Sequence, residues 1–159
     1  MEPAGAESEE AGSLELAAPM EPAPDPDRTL LAGLGLLVVE DDADSREALV
    51  RVLEQYGARA KSAATAAEAI QAMDVTVPDV LVSDIGMAGE DGYDLIRKVR
   101  RLPAERGGRL PALAVTAFGE EGDRLKATTA GFQAHVTKPV APGELVTEIA
   151  RLAGRTRGT

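Results

Sequence analysis

Short apolar runs alternate with longer amphipathic stretches along the chain from residue 34 onward. The short runs predict strands at residues 34–39, 80–82, 112–116 and 134–137, and residues 59–63, which have less apolar character, are expected to form the second strand. Stretches with apolar residues every three or four positions predict helices at residues 42–56, 65–73, 92–101, 120–130 and 144–153. The fourth helix has a thin apolar stripe, in which Leu125 is the main residue expected to face the core.

Five strands that alternate with five helices predict an α/β domain with one parallel sheet and helices on both of its faces. Right-handed crossovers restrict the possible topologies. For a domain of this size we expect a flavodoxin-like (βα)5 doubly wound sheet with strand order 2-1-3-4-5. In such a sheet the functional crevice lies beyond the carboxyl ends of the strands, where strands 1 and 3 meet.

The composition changes before the first predicted strand. Residues 1–32 hold eight acidic residues, one basic residue and five of the ten prolines. We therefore expect residues 1–32 to form a disordered acidic linker and residues 33–153 to form the domain. Residues 154–159 are expected to be a short basic tail.

Composition also excludes several classes of protein. After residue 32 the chain has 19 acidic and 16 basic residues and no basic surface interleaved with aromatics, so we expect no direct nucleic-acid binding. Cysteine is absent, which excludes disulfides and thiolate metal sites. No apolar run approaches the roughly 20 residues of a membrane span, and the N-terminus lacks a signal pattern. We expect a cytoplasmic protein with no membrane contact.

Polar side chains end four of the five predicted strands. Asp84 ends the third strand, directly before a loop that contains three glycines. Glu40 and Asp41 end the first strand, Thr116 ends the fourth and Lys138 ends the fifth. The predicted sheet brings these side chains to one edge.

Three carboxylates in a small space repel one another unless a cation compensates their charge. Mg²⁺ (or Mn²⁺), which prefers oxygen ligands and keeps several waters, suits Glu40, Asp41 and Asp84. The backbone carbonyl of Gly86 is a further candidate ligand. An incoming phosphoryl group would meet the cation, the threonine hydroxyl and the lysine ammonium, and Asp84 would attack it to form an acyl phosphate.

Each polar residue also has a purely structural interpretation. Acidic residues at the start of a helix commonly cap it or interact with its dipole, which is the expected role of Asp42 and Asp44. Glu40 and Asp41, taken alone, fit a cap as well as a ligand. A strand-end hydroxyl can simply bond the backbone, and His135, the single histidine, fits a packed side chain. The coincidence of four strand ends is what favours a functional site.

At these residues the chain resembles the receiver domain of bacterial response regulators and hybrid histidine kinases. The similar segments are Val38-Val39-Glu40-Asp41-Asp42, Val82-Ser83-Asp84-Ile85-Gly86-Met87, Gly92-Tyr93-Asp94-Leu95-Ile96, Ala114-Val115-Thr116-Ala117 and Thr137-Lys138-Pro139. They occur in the family's order between about residues 34 and 153, and as a set they are highly specific.

The resemblance implies that Asp84 accepts phosphate from a phosphohistidine on a histidine kinase or histidine phosphotransfer domain. It implies that Asp41, Asp84 and the Gly86 carbonyl bind Mg²⁺ directly, with Glu40 in the same site. It also implies that the threonine and the lysine at the ends of strands 4 and 5 bind the phosphoryl oxygens. The expected protein is therefore a signalling domain rather than an enzyme that acts on an external substrate.

The resemblance further implies a switch. His135 occupies a position that is usually aromatic in the family and that turns inward when Thr116 moves. The signal is expected to leave through the fourth helix, fifth strand and fifth helix, toward a downstream effector or a second copy in a homodimer. The Lys138-Pro139 peptide is expected to be cis, which only proline makes cheap.

The chain departs from the family's pattern at two places. Ala88 stands where a proline is common, which predicts a looser loop, and His135 stands where tyrosine or phenylalanine is usual, although histidine occurs there in related domains. Gly86 and Phe118 lie two residues after the aspartate and the threonine, at positions through which family members vary their dephosphorylation rate. Neither residue can orient a water, so we expect a long-lived acyl phosphate.

Other functions fit the sequence less well. A phosphatase of the haloacid-dehalogenase type needs an Asp-x-Asp nucleophile after the first strand, but Asp42 and Asp44 fall where the first helix has begun. A flavodoxin-like FMN carrier needs hydroxyls and amides around its phosphate, whereas this loop has three consecutive acids. A third alternative, a receiver domain that has lost phosphorylation and only binds partners, stays open. The chain ends six residues after the last predicted helix, so we expect a stand-alone receiver or one from a larger kinase.

Overall fold

The computed structural model describes residues 27–87, 89–116 and 122–155, with side chains from residue 125 onward in the last range. Its strands are β1 (Gly35–Val39), β2 (Arg59–Ala63), β3 (Val80–Asp84), β4 (Ala112–Thr116) and β5 (Ala134–Thr137). Its α-helices are α1 (Ala43–Gln55), α2 (Ala66–Val75), α3 (Gly92–Arg100), α4 (Gly122–Ala130) and α5 (Pro142–Leu152). A short 3₁₀ helix, Ala104–Arg106, precedes β4.

The strands form one parallel sheet with the order β2-β1-β3-β4-β5. This order confirms the predicted topology. The chain winds outward in both directions from the pair formed by β1 and β3, which makes the carboxyl ends of these two strands the switch point of the fold.

Two hydrophobic clusters cover the two faces of the sheet. One cluster lies under α1 and α5 and includes Leu36, Val38, Leu53, Val82 and Ile149. The other lies under α2, α3 and α4 and includes Leu37, Met73, Leu81, Ile96 and Ala127. Because β3 and β4 are buried at every position, their sequences are largely apolar, and their polar residues, Ser83, Asp84 and Thr116, stand at the carboxyl ends.

Local capping signals set the starts of several helices. The Asp42 carboxylate accepts a hydrogen bond from the Ser45 amide at 2.9 Å and caps α1. The Thr65 hydroxyl accepts from the Glu68 amide at 3.1 Å and caps α2. Helix α5 begins at Pro142, earlier than predicted, because proline fits the first turn of a helix. None of the helices in the described ranges has the length and apolar character needed to cross a membrane.

Helix α4 packs differently from the prediction. Leu125, the residue expected to face the core, is 73% exposed, whereas Ala127 is buried. The expectation for Leu125 is therefore wrong, because the short side chain of Ala127 occupies the inward face of the helix. The predicted start of this helix at residue 120 lies outside the described residues.

The buried part of the chain begins before the predicted boundary at residue 33. Leu30 and Leu31 pack into the cluster under α1 and α5. The Leu31 amide donates to the Tyr56 carbonyl at 3.0 Å, and Arg155 Nη1 donates to the Ala32 carbonyl at 2.6 Å. Two buried leucines thus extend the domain toward residue 27, and Arg155 extends it at the other end. The rest of the predicted linker and basic tail lies outside the described residues.

Candidate functional site

Three carboxylates meet at the carboxyl edge of β1 and β3. Asp84 is the last residue of β3, and Glu40 and Asp41 follow β1 directly. The register that pairs Val39 with Ser83 brings these strand ends together. One carboxylate oxygen from each of the three acidic residues lies within 4.8 Å of the others.

Lys138 follows β5 and reaches the same cluster. Its Nζ atom lies 3.4 Å from Asp84 Oδ1 and 3.6 Å from Glu40 Oε1. Burial alone would lower the pKa of Lys138, but the Asp84 and Glu40 carboxylates outweigh burial and the pKa is raised. The lysine therefore supplies one permanent positive charge beside three carboxylates at neutral pH.

Burial makes the cluster costly without further compensation. Glu40 and Asp84 are only 2% and 4% exposed, whereas Asp41 is exposed. Glu40 Oε2 accepts a hydrogen bond from the Asp42 amide at 3.0 Å. Glu40 Oε1 has no hydrogen-bond partner within the described part of the chain. Burial raises the pKa of Glu40, and the Asp84 charge adds to the rise. Such a carboxylate needs a cation or a proton.

The donor set fits a hard divalent cation. The carboxylates of Glu40, Asp41 and Asp84 supply oxygen ligands, which Mg²⁺ and Mn²⁺ prefer. The buried Glu40 Oε1 accepts no hydrogen bond from the described residues and lies 3.6 Å from Lys138 Nζ, so it is the atom that a cation or its bound water would satisfy. Beside Gly86 a Cβ atom would meet nothing within 4 Å, so the loop after β3 leaves open space at the site.

The predicted switch residues lie on β4, which neighbours β3, and on β5, the edge strand beyond it. Thr116 is buried at the end of β4, and its hydroxyl donates to the Val136 carbonyl at 3.3 Å, toward β5. His135 is half-buried in β5, in register with Ala114. The structure thus places Thr116 at the site's edge but with its hydroxyl bonded to the neighbouring strand.

The remaining expectations about the site have mixed outcomes. The Lys138-Pro139 peptide is cis, as expected. Ala88, at which the chain departs from the family's pattern, and Phe118, at a position that varies the dephosphorylation rate, lie outside the described residues. Asp42 caps α1, and Asp44 lies in the first turn of that helix, so both have the structural role that was expected.

Two further residues support the site in ways that sequence reasoning missed. Arg46 Nη1 donates to the Glu40 carbonyl at 2.9 Å and so holds the loop after β1. Gly92 packs so tightly that a Cβ atom there would stand 2.5 Å from the Asp84 carbonyl oxygen. A glycine at the start of a helix is a sequence signal for such a close approach. Nothing in the sequence around Arg46 distinguishes it from a solvated basic residue.

Comparisons of sequence agree with this geometry. Residues 36–150 match the family model described as the response regulator receiver domain. The chain is 45% identical to an uncharacterized 14.6 kDa protein of Leptolyngbya boryana, over 73% of this chain and 87% of that protein. It is 35% identical to the phosphate regulon transcriptional regulatory protein PhoB of Escherichia coli (strain K12), over 72% of this chain and 49% of PhoB. The chain therefore spans about half the length of that regulator.

Solved structures show the same fold. A putative response regulator from Chloroflexus aurantiacus superimposes with a TM-score of 0.73 at 34% identity, covering 77% of this chain and 98% of that one. The receiver domain of a sensor histidine kinase from Pseudomonas aeruginosa, which has a magnesium ion coordinated in its active site cleft, gives 0.70 at 29% identity. That comparison covers 77% of this chain and 99% of the other.

A doubly wound parallel sheet with acidic residues and a lysine at its carboxyl edge is the architecture of an α/β phosphorelay module. The chain belongs to the response regulator receiver family of two-component signal transduction. Receiver domains bind Mg²⁺ at an acidic pocket, and the cluster of Glu40, Asp41 and Asp84 is the acidic pocket of this chain. The phosphatase and FMN-carrier alternatives do not describe this family.

Proposed function

We propose that Asp84 is the phosphoacceptor and that a phosphohistidine, on a histidine kinase or histidine phosphotransfer domain, is the donor. The observation that carries this proposal is the cluster of Glu40, Asp41 and Asp84 with Lys138 beside it. Buried carboxylates this close together destabilise the fold unless a bound cation compensates their negative charge. Asp84 Oδ1 lies 3.4 Å from the lysine ammonium, slightly closer than Glu40 Oε1 at 3.6 Å.

The acidic side chains would hold one divalent cation, Mg²⁺ or Mn²⁺. Asp41, Asp84 and the Gly86 carbonyl are the proposed direct ligands, and Glu40 is the proposed partner of the cation's water shell. When bound, the cation offsets negative charge on the carboxylates and on the phosphoryl oxygens.

The proposed reaction is a displacement at phosphorus. A carboxylate oxygen of Asp84 forms a bond to phosphorus while the bond from phosphorus to the donor's histidine nitrogen breaks. The nitrogen keeps the electron pair of the broken bond and takes up a proton. Lys138 would bind one phosphoryl oxygen, and the Thr116 hydroxyl would bind another once it leaves the Val136 carbonyl.

Movement of Thr116 is also the proposed output signal. Because its hydroxyl now donates to β5 at 3.3 Å, turning toward Asp84 would release that contact and allow the half-buried His135 to turn inward. The surface of α4, β5 and α5, on which Leu125 is 73% exposed, would then bind a downstream effector or a second copy. A cytoplasmic location and the lack of direct nucleic-acid binding stay predictions.

Intact mass spectrometry after incubation with acetyl phosphate and Mg²⁺ tests the acceptor. The wild-type protein should gain one phosphoryl group, and a chelator should prevent the gain. Asp84→Asn should gain nothing, whereas Asp74→Asn, which changes an exposed aspartate paired with Arg106, should react normally. A wild-type protein that gains no mass, or equal gains in both aspartate variants, would overturn the proposal.

The same phosphorylated samples test the switch and the lifetime of the acyl phosphate. His135→Ala should still gain mass, but the amide NMR signals of α4 and β5 should no longer shift on phosphorylation. Equal loss of the mass gain and of the NMR shifts would contradict the role of His135. Since Gly86 has no side chain that could orient a water, the added mass should persist. Rapid loss of the label from purified protein would contradict this part of the proposal.

A further inference from the structure

A groove opens at the amino ends of β1 and β2, at the opposite end of the strands from Asp84. Its volume is about 530 Å³, within the roughly 300–1,000 Å³ range of pockets that bind ligands. The residues that line it include Leu37, Arg59, Ala60, Lys61, Ala72 and Val77. The groove therefore combines apolar walls with two basic side chains.

The wall formed by β2 has an unpaired side. Strand β2 lies at the edge of the sheet and pairs only with β1 among the described strands. The Arg59 amide donates to the Leu34 carbonyl at 2.8 Å, so in parallel pairing the backbone groups of Ala60 and Ser62 point to the open side. Proteins commonly cover or charge such an edge, because it can pair with another chain.

The rim of the groove exposes apolar surface. Val75 and Val77 are 79% and 40% exposed, and they are two of the three large hydrophobic side chains that are exposed in the described ranges. Val77 lines the groove, and Val75 ends α2 two residues earlier. Exposed apolar surface beside an open strand edge is typical of a site that binds an extended segment.

The two basic side chains of the groove are available to an acidic occupant, although the lining also holds two acidic residues. Arg59 and Lys61 are exposed and form no ion pair with any residue that the structure describes. Of the two acids in the lining, Asp79 already accepts a hydrogen bond from the Gly35 amide at 2.7 Å, and Glu54 lies at the end of α1. The same two basic residues oppose pairing with β2 of a second copy, because like charges would face each other.

The chain itself carries a segment of matching chemistry. Residues 1–26 contain seven acidic residues and no basic residue, and Leu14 and Leu16 flank Glu15 within them. The described chain starts near the C-terminal end of α1, where Glu54 lines the groove, since the Arg28 guanidinium lies 5.0 Å from the ring centre of Tyr56. From there, the 14 residues back to Ser13 span up to roughly 45 Å when extended, which is ample to reach β2.

We propose that residues 1–26 bind within the same molecule to the groove along β2. Leu14 and Leu16 supply apolar contacts to the groove, and the surrounding carboxylates lie against Arg59 and Lys61. Tethering at residue 27 gives the segment a high effective concentration, so weak contacts suffice. The bound segment covers the open strand edge and leaves the carboxyl edge with Asp84 free.

Paramagnetic relaxation in the full chain tests this contact directly. Since the chain has no cysteine, Ser13→Cys provides a single position for a nitroxide label. We expect the label to weaken the amide signals of Ala60, Lys61 and Val77 while those of β5, at the other edge of the sheet, keep their intensity. Uniform loss across the protein, or no loss at β2, would overturn the proposal.

Charge-reversal variants test the chemistry of the contact. Arg59→Glu combined with Lys61→Glu should abolish the loss of signal at β2. The matched control, Arg101→Glu with Lys126→Glu, changes an exposed arginine and an exposed lysine that do not line the groove and should leave the loss unchanged. Loss that survives the first pair of changes contradicts the proposal. So does loss seen only between labelled and unlabelled molecules in a mixture, which would place a second copy in the groove.

Discussion

Lys138 is the single cation within reach of the buried carboxylates, among the side chains that the structure describes. Its Nζ atom lies 3.4 Å from Asp84 and 3.6 Å from Glu40, distances at which it attracts both groups. The lysine can therefore bind a phosphoryl oxygen, but it also competes with a cation for the same carboxylates. A variant that lacks the ammonium distinguishes phosphoryl binding from competition with the cation.

Replacing Lys138 by methionine should slow phosphorylation without weakening cation binding. A charge-assisted hydrogen bond to a phosphoryl oxygen contributes about 1.5–3 kcal/mol, so we expect a rate loss of about 10- to 100-fold. Cation affinity should stay equal or rise, because a competing charge is gone. Time courses of mass gain and calorimetric titration with Mg²⁺ measure the two effects. Lys61→Met is the control, and reduced cation affinity in Lys138→Met would contradict the assignment.

Glu40 should make the stability of the cation-free protein depend on pH. Burial raises its pKa above the ordinary value of 4.5, so its charged form is disfavoured in the folded state. The stability that Glu40 contributes is complete below the ordinary pKa and is lost as the pH rises through the raised value. Glu40→Gln should thus raise the melting temperature in a chelator at neutral pH.

The increase in melting temperature caused by Glu40→Gln should vanish below about pH 4, where residue 40 is neutral in the wild type as well as in the variant. Added Mg²⁺ should stabilise the wild type more than the variant, because it binds the folded state through the intact cluster. Thermal melts at several pH values, with and without Mg²⁺, measure these differences. A gain that does not change with pH would contradict a buried, ionised Glu40.

Sequence reasoning found most of the site at the residue scale, because strand ends are readable. Glu40, Asp41 and Asp84 lie at the ends of strands with apolar runs, Lys138 follows the more polar β5, and parallel topology then brings them together. The hydrogen bond from the Thr116 hydroxyl to the Val136 carbonyl of β5 was not predictable, because a hydroxyl group can rotate toward several acceptors. Contacts of a long side chain such as Arg46 depend on packing that periodicity does not encode.

At the scale of elements, one guanidinium joins α3 to the segments around it. Arg100 donates through Nε and Nη2 to the Gly131 carbonyl at 3.1 and 2.7 Å. Its Nη1 donates to the carbonyls of Gly108 and Leu110 at 3.1 and 2.7 Å. Burial lowers the pKa of Arg100. The C-terminal end of α4 is therefore held by polar contacts in addition to the small apolar face around Ala127.

Arg100→Met should destabilise the domain by about 2–4 kcal/mol, because several backbone carbonyls lose a charged donor. Arg100→Lys should recover only part of this loss, since an ammonium cannot reproduce the planar fork. Urea unfolding followed by circular dichroism measures the change. Arg101→Met, at an exposed position, should stay within about 0.5 kcal/mol of the wild type. Equal effects of the two methionine variants would refute this role for Arg100.

The elements that were predicted best are those with the strongest burial. Strands β3 and β4 are buried throughout, so their apolar runs were unambiguous. Helix α4 was predicted less well, because its inward face consists of small residues such as Ala127 and its largest apolar residue, Leu125, faces solvent. The start of α5 was placed too late because Pro142 lies in its first turn.

At the scale of the whole molecule, the two ends of the described chain contact each other next to the amino-terminal edge of the sheet. Leu30 and Leu31 extend the core beyond the matched region at residues 36–150. Arg155 donates to the carbonyls of Leu30 and Ala32 at 3.3 and 2.6 Å. These hydrogen bonds connect the turn before β1 to the end of α5, and the two leucines add buried apolar area to the domain.

Leu31→Ala should lower the free energy of unfolding by about 2–5 kcal/mol, because the side chain is fully buried. The matched control is Leu125→Ala, which removes the same atoms from an exposed position and should cost no more than about 0.5 kcal/mol. Urea unfolding of both variants provides the comparison. A small effect of Leu31→Ala would show that the turn before β1 is not part of the cooperative core.

The overall topology was predictable because alternating strands and helices leave few right-handed arrangements. The N-terminal boundary was not, because two leucines next to an acidic, proline-containing stretch give no periodic signal. Their burial depends on a partner surface, formed by α1 and α5, that is far away in the sequence. Long-range packing of this kind is what single-sequence patterns do not contain.

The position of the added phosphoryl group tests the central claim most directly. The wild-type protein would be treated with acetyl phosphate and Mg²⁺, the acyl phosphate reduced with borohydride, and the modified residue located by peptide mass spectrometry. We predict modification at Asp84 and at no other residue. Modification at Glu40 or Asp41 instead of Asp84, or no modification at all, would contradict the account.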